Sequence, residues 1–323
     1  MLCVLQREAW VTGDGHRRGC IIELIPTPQS RSSMQISTFS AMSKGERGQF
    51  LTRYRSFLLD RNGTPDFVRG QLSRREKFLG ELVANPIHRT GPAVVEQRVY
   101  EENAIARAVA KEGLDEWSLW AICLSKCSRM EEYAVRYLDE VGRTPPTSTD
   151  DPYSIIDLEE RYHGRLLESV LQVVGIKAGW RPPSFITRLT LRAILAIPRT
   201  LANITVLCGE VIGLATFKLF LEKARTLCAD QPRVQERLEF LLKEILADEI
   251  GHVLFLRSQL GPLRLLLSRA LLPIIARVLI SDYPEMNRLF GRRLLDEILS
   301  PQLLMSVLDE VGGLPQLTAS STQ

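Results

Sequence analysis

Two short segments place carboxylates and imidazoles at a spacing that can hold metal: Glu160-Arg161-Tyr162-His163 and Glu249-Ile250-Gly251-His252. Residues three apart share a face of an α-helix, so each Glu-x-x-His aims one carboxylate and one imidazole the same way. The motifs stand 89 residues apart in a chain with only four histidines, and an acid precedes each, Glu159 and Asp248. Two such helices facing each other, joined by one more Glu from each of two partner helices, make a carboxylate-rich cage for two metal ions. The remaining histidines, His16 and His88, fall in expected loops and receive no role.

Such a cage needs four long helices, and the hydrophobic pattern supplies candidates. Over 114–141 an apolar stripe runs through Trp117, Trp120, Leu124, Cys127, Ala134, Leu138 and Val141, and its one gap is filled by Glu131. Asp151 with Pro152 behind it starts a helix over 153–174 that carries the first motif. A third helix spans 185–227, with Pro198 as the place for a kink. After a turn at Ala229-Asp230-Gln231-Pro232, the fourth covers 233–259 with the second motif, and Gly261-Pro262 stops it.

The partner glutamates follow from counting along the two helical hairpins. Glu210 lies 19 residues before Ala229 and Glu249 lies 20 after it, so antiparallel packing brings them level. Glu210 is also the only acid between Arg181 and Lys218, and an ionised carboxylate in so apolar a run is costly to bury without a partner. Glu131 stands 11 residues before Gly142 and Glu160 eight after Pro152, a difference in height of about 4–5 Å. Glu116 would sit about 22 Å further along its helix and is rejected. Glu132 points about 100° away from the stripe. The expected ligands are therefore Glu131, Glu160, His163, Glu210, Glu249 and His252.

The rest of the chain frames this core. Residues 27–41 are rich in Ser, Thr, Gln and Pro, and residues 1–42 are expected to be a disordered extension. Ser43 with Glu46 is a capping-box pattern opening a helix through Leu59, broken at Asn62-Gly63-Thr64-Pro65. Shorter helices are expected near 73–84 and 95–112, and two or three more over 263–311 with Ser300-Pro301 as a start. No stretch reads as strand. The expectation is one all-α domain over 43–313 with its core bundle at 114–260, additional flanking helices, and a disordered tail at 314–323.

Composition excludes several classes. The 323 residues are 45% hydrophobic and 24% charged, an ordinary globular balance, and a net charge of +3 gives no reason to expect nucleic acid. No run of 18 uncharged apolar residues exists, so no transmembrane segment is expected. The apolar stretch 263–280 is interrupted by Arg264, Arg269 and Arg277 and is expected to pack over the bundle, with a membrane surface or an acidic carrier protein as alternatives. The six cysteines form no CxxC pair, and Cys123 and Cys127 read as small buried hydrophobes. Without a signal-like N-terminus, the cytoplasm is the expected compartment.

At these residues the chain resembles the ferritin-like di-iron carboxylate superfamily, over about 114–260. The superfamily order Glu, Glu-x-x-His, Glu, Glu-x-x-His falls on Glu131, Glu160, His163, Glu210, Glu249 and His252. The text Glu159-Glu160-Arg161-Tyr162-His163-Gly164-Arg165-Leu166-Leu167 and Ala247-Asp248-Glu249 is similar to the soluble acyl-carrier-protein desaturases. Di-iron monooxygenases and the ribonucleotide reductase small subunit share the theme. The match is incomplete. Gly213 and Leu214 stand where desaturases and monooxygenases place a Thr, and Ile245 where arylamine N-oxygenases place an extra His.

The resemblance implies a ferritin-like four-helix bundle, two iron ions, O2 as co-substrate, and oxidation of a small organic or carrier-bound substrate by hydroxylation, desaturation or N-oxygenation. It also implies that Asp248 orients His163 and Glu159 orients His252, because a ligating imidazole usually donates its other N–H to a carboxylate. Electrons are expected from a separate reductase or ferredoxin, since the chain has neither a CxxC nor a Gly-rich dinucleotide fingerprint. A homodimer is left open. The rival readings are an iron-handling ferroxidase without organic substrate and a non-catalytic helical scaffold.

Overall fold

In a computed structural model the described residues are 37–91, 94–103, 113–140, 151–177, 185, 188–189, 192–193, 199–314 and 317, with side chains for all of these but 102–103, 132, 134–140, 199–200 and 282. They are mostly helical. The helices are α1 (Lys44–Asn62), α2 (Ser73–Ala84), α3 (Gln97–Asn103), α4 (Glu116–Glu140), α5 (Pro152–Val173), α6 (Arg199–Leu227), α7 (Pro232–Gln259), α8 (Pro262–Asp282), α9 (Pro284–Phe290), α10 (Arg292–Ile298) and α11 (Leu303–Glu310). The fold class is all-α, as expected. The one departure is a two-residue antiparallel pair between β1 (Pro65–Asp66) and β2 (Gln71–Leu72). It is too short to leave a period-2 pattern.

Local chemistry accounts for the boundaries. Ser43 caps α1 through a reciprocal capping box: its hydroxyl accepts from Glu46 N at 3.3 Å, and its own N–H donates to Glu46 Oε2 at 2.8 Å. Gly63, with φ 71°, ends α1, and a Cβ there would lie 2.4 Å from Ser73 Oγ. The Asp151 side chain accepts from Tyr153 N at the start of α5, with Pro152 in the first turn. The kink expected at Pro198 lies outside the described residues, as do residues 104–112 of the expected helix 95–112.

Four helices close a ring: α4 packs on α5, α5 on α7, α7 on α6, and α6 on α4. Trp120, Leu124, Leu166, Leu207, Phe220, Leu242 and Leu246 are fully buried between them. Trp120 Nε1 donates to Phe220 O at 3.2 Å, so even this large core side chain has its polar atom satisfied. Of the stripe read along 114–141, Trp120 and Leu124 are buried and Trp117 and Cys127 pack against the core, while Ala134, Leu138 and Val141 lie outside the described side chains. Helix α1 lies against α5 and α7, and a buried Lys126–Glu285 ion pair at 2.8 Å fastens α9 to α4.

Residues 36–323 form one compact unit. Phe39 and Met42, inside the stretch expected to be an extension, pack against the core, and Arg257 Nε donates to Ser40 O at 2.6 Å. The disorder expected for residues 1–36 falls outside the described residues. Within the expected tail, Leu317 is buried in the core. Helix α6 is long and apolar enough over Leu201–Leu227 to cross a membrane by length and composition alone, but 67% of its most apolar 18-residue window is buried inside the protein.

Candidate metal centre

Helices α4, α5, α6 and α7 each contribute to one cluster in the middle of the ring. One ligand atom from each of Glu160, Glu210, Glu249 and His252 lies within 4.8 Å of the others, and the same holds for Glu131, Glu160 and His163. All six residues expected from the sequence are thus brought together, and Glu160 belongs to both groups. Glu116, rejected on height, is exposed and pairs with Lys223 at 2.9 Å. The side chain of its other competitor, Glu132, lies outside the described residues.

The two histidines are held in a crossed arrangement. His163 of α5 places Nε2 3.2 Å from Asp248 Oδ2 of α7, and His252 of α7 places Nε2 3.0 Å from Glu159 Oε2 of α5. Their Nδ1 atoms are buried and make no aligned hydrogen bond. His163 Nδ1 lies 3.4 Å from Glu249 Oε1 and 3.6 Å from Glu160 Oε2. His252 Nδ1 lies 3.0 Å from Glu160 Oε1, 3.6 Å from Glu210 Oε2 and 4.0 Å from Glu249 Oε2. Each imidazole therefore turns one nitrogen to a fixed acceptor and the other into the carboxylates. A buried ring nitrogen without a hydrogen-bond partner is costly in an ordinary core.

Two arginines and an asparagine from the α1–α2 hairpin hold the outer acids. Arg75 Nη2 donates to both Asp248 oxygens at 2.6 and 2.8 Å, its Nη1 to Glu244 Oε2 at 2.8 Å, and its Nε to Asn62 Oδ1 at 2.7 Å. Asn62 Nδ2 in turn donates to Glu159 Oε1 at 2.6 Å. Arg61 Nε donates to Asp248 Oδ1 at 2.7 Å, and its Nη2 to Glu244. Among the described residues no Lys or Arg pairs with Glu131, Glu160, Glu210 or Glu249. The cations stop one layer short of the cage.

Protonation reflects that lack of cations. Burial, then the neighbouring Glu160, pushes the Glu131 carboxyl well above its ordinary value, and burial with Glu210 and Glu160 does the same to Glu249. Burial also opposes ionisation of Glu160, but the two imidazoles beside it hold its carboxyl well below the usual range. His163 is lifted against burial by Asp248 and Glu160 to about 9, and His252 is raised well above its ordinary value by Glu159, Glu160 and Glu210. Asp248 stays well below its ordinary value despite burial because Arg61 and Arg75 flank it. Protons thus stand where four carboxylates call for positive charge. Two divalent ions would serve the same end, bound by carboxylate oxygens and imidazole nitrogens suited to iron.

The surroundings are aromatic on one side and partly exposed on the other. Tyr54 of α1 is fully buried near His252, with no hydrogen-bond partner for its hydroxyl. It stacks on Phe255 at 5.2 Å between ring centroids. Gly251, inside the second motif, lets α1 come this close: a Cβ there would lie 3.1 Å from Tyr54 Cε2 and 3.2 Å from Phe57 Cε1. By contrast the Glu160 and Glu210 side chains are 19% and 17% exposed. Beside them, a Cβ on Gly213 would lie 3.7 Å from Glu249 Oε2, and one on Gly209 would meet nothing within 4 Å.

Arg61, Asn62, Arg75 and Tyr54 escaped the reading of the sequence. Their signal was present: Arg75 falls in register with Leu79 and Leu82 of α2, and Asn62 with Tyr54 and Leu58 of α1, so both sit on apolar faces as Glu131 does. His88 is exposed, with Nδ1 3.2 Å from Gln172 O, while His16 lies outside the described residues. Cys123 is buried, with its thiol held in the neutral form by burial. No protein-family model, curated protein or solved structure matches the chain.

Proposed function

We propose that Glu131, Glu160, His163, Glu210, Glu249 and His252 hold two iron ions within a ferritin-like bundle, and that the protein is an O2-dependent oxidoreductase acting on an organic substrate. The observation that carries this reading is the crossed histidine pair, each Nε2 held by an outer carboxylate and each Nδ1 left without a hydrogen bond among four glutamates. Four carboxylates and two imidazoles favour iron over zinc, which prefers a closed tetrahedral set. Iron bound there supplies the electron chemistry with O2 that no side chain of the chain offers.

The chain's own residues have separable tasks. Glu160 and Glu249 each face both Nδ1 atoms, so these two would be the carboxylates shared if two ions bind, with Glu131 and Glu210 as the outer ones. Asp248 and Glu159 keep a proton on each Nε2, which leaves the Nδ1 lone pair free to bind. The aromatic wall of Tyr54 and Phe255 excludes water on the α1 side. Gly209 and Gly213 carry no side chain beside the partly exposed Glu210, and O2 and a small or carrier-bound substrate would reach the cage from that side. A separate reductase or ferredoxin supplies electrons.

The test is anaerobic loading with ferrous ion, metal analysis and Mössbauer spectroscopy after exposure to O2. About two irons per chain with antiferromagnetic coupling are expected; absence of a coupled pair sinks the reading. Continued uptake of iron as a ferric mineral, without oxidation of any organic compound, would replace it with iron handling.

A further inference from the structure

Helix α8 is apolar on two opposite sides, and only one of them is covered. Leu265, Ser268, Leu272 and Ala276 are buried, and Cys208 Sγ of α6 donates to Ser268 O at 3.2 Å. On the other side Leu263, Leu266, Ile274 and Val278 are 78%, 62%, 57% and 52% exposed, with Leu267 and Ala270 exposed between them. At about 100° per residue these six positions fall within an arc of about 120°, opposite the buried four. The face extends roughly 22 Å from Leu263 to Val278.

The charges follow the same geometry. Arg264 and Arg269 project near the two borders of the exposed arc and Arg277 lies within it. All three are exposed, and none forms an ion pair among the described residues. No Asp or Glu occurs from Gly261 to Ser281. The face is wholly aliphatic apart from its arginines, whereas protein–protein interfaces are enriched in aromatic residues and Met. An aliphatic stripe edged by unpaired arginines, whose stems can lie along the acyl boundary while the guanidinium groups meet phosphates, complements an anionic bilayer surface.

We propose that α8 is a membrane-docking helix that lies in the plane of an anionic phospholipid surface, with Leu263, Leu266, Leu267, Ile274 and Val278 entering the acyl boundary and Arg264, Arg269 and Arg277 on the lipid phosphates. The rest of the protein stays on the aqueous side, held by the buried face of the same helix. This does not depend on the metal reading.

The experiment is sedimentation of the full chain with vesicles of phosphatidylcholine alone or mixed with phosphatidylglycerol. Binding to the mixed vesicles is expected, weakening with salt. The combined change Arg264→Gln, Arg269→Gln, Arg277→Gln is expected to lower affinity for them on the order of a hundred-fold, from a factor of about five per arginine. The combined change Leu263→Gln, Leu266→Gln, Ile274→Gln is expected to abolish sedimentation while circular dichroism and melting temperature remain those of the parent. Hydrogen–deuterium exchange of the unaltered chain, which needs no variant, is expected to show vesicle-dependent protection of the exposed face across 262–281. A chain that stays in the supernatant with both vesicle types overturns the proposal. So does protection elsewhere, or a concentration-dependent dimer or a complex with an acidic protein that the leucine and isoleucine changes dissolve while vesicle binding persists.

Discussion

Replacing Arg75 by Met tests whether the α1–α2 hairpin is part of the proposed metal centre or merely covers it. Arg75 is buried and donates to Asp248 at 2.6 and 2.8 Å, to Glu244 at 2.8 Å and to Asn62 at 2.7 Å. Removing one side of a buried charged cluster costs about 3–5 kcal/mol, because the other side is left without compensation. Arg61 remains on Asp248 at 2.7 Å, which places the expected loss near the lower end, about 3 kcal/mol. Asp248 then holds His163 Nε2, and Asn62 the Glu159 carboxylate, less firmly, and loss of such support typically lowers metal affinity about 10- to 100-fold. Arg75→Lys keeps a charge but cannot span Asn62 and Asp248 together, so it should recover part of the stability and little of the affinity. Urea unfolding of the metal-free protein and competition titration against a chelator read the two quantities separately. Arg75→Met within about 1 kcal/mol of the parent, with unchanged affinity, would refute the reasoning.

The remaining expectations concern protons, packing and ligands. His163 has its folded pKa lifted to about 9, so the stability it contributes is full below its ordinary 6.5 and lost as pH rises through 9. The raised carboxyls of Glu131 and Glu249 act in the same direction, costing stability once the unfolded chain's acids ionise. The chelated protein should therefore melt at progressively lower temperature from neutral pH to about 9, and a flat profile would count against this assignment. Because binding ions must expel these protons, titration calorimetry in buffers of different ionisation enthalpy should show net proton release; a buffer-independent enthalpy would contradict it. Gly251→Ala forces a Cβ to 3.1 Å from Tyr54, and overpacking of about 1–3 kcal/mol should outweigh the roughly 1 kcal/mol gained in helix propensity. A rise in melting temperature would show that α1 yields without strain. Glu160→Ala should abolish loading of both ions because Glu160 belongs to both groups, whereas Glu131→Ala should leave the Glu160, Glu210, Glu249 and His252 group intact; equal loss in the two, read by metal content, would remove the distinction between shared and terminal carboxylates.

The clustering of the six residues was legible because metal chemistry constrains residue type and helical spacing together. Glu131 and Glu210 stood out as acids on apolar faces, and hairpin counting matched them to their motifs. The crossing of Asp248 to His163 and Glu159 to His252 was legible too, from the rule that a ligating imidazole donates to a carboxylate. The layer beyond was not. Arg61, Asn62 and Arg75 lie 84 to 187 residues from the acids they touch, and no local period reveals which hairpin lands on which face. The β1–β2 pair is joined by the turn at 67–70, which ends on Gly70 with φ 65°, and leaves no alternation to read. Helix α8 hid its character for a different reason: apolar residues on two sides cancel the one-sided pattern from which a covered face is inferred.

The exchange of acids between α5 and α7 bears on the order in which the chain assembles. Each helix carries the residue that locks the other's histidine, so neither Glu-x-x-His can mature alone, and sliding one helix past the other by a turn would unmake both halves at once. Asn62, Glu159 and His252 meet only after segments nearly 200 residues apart have docked. Contacts so distant in sequence form late. If the six residues hold metal as proposed, the ion would meet a centre already built by these distant contacts rather than nucleate the fold as it does in a zinc finger.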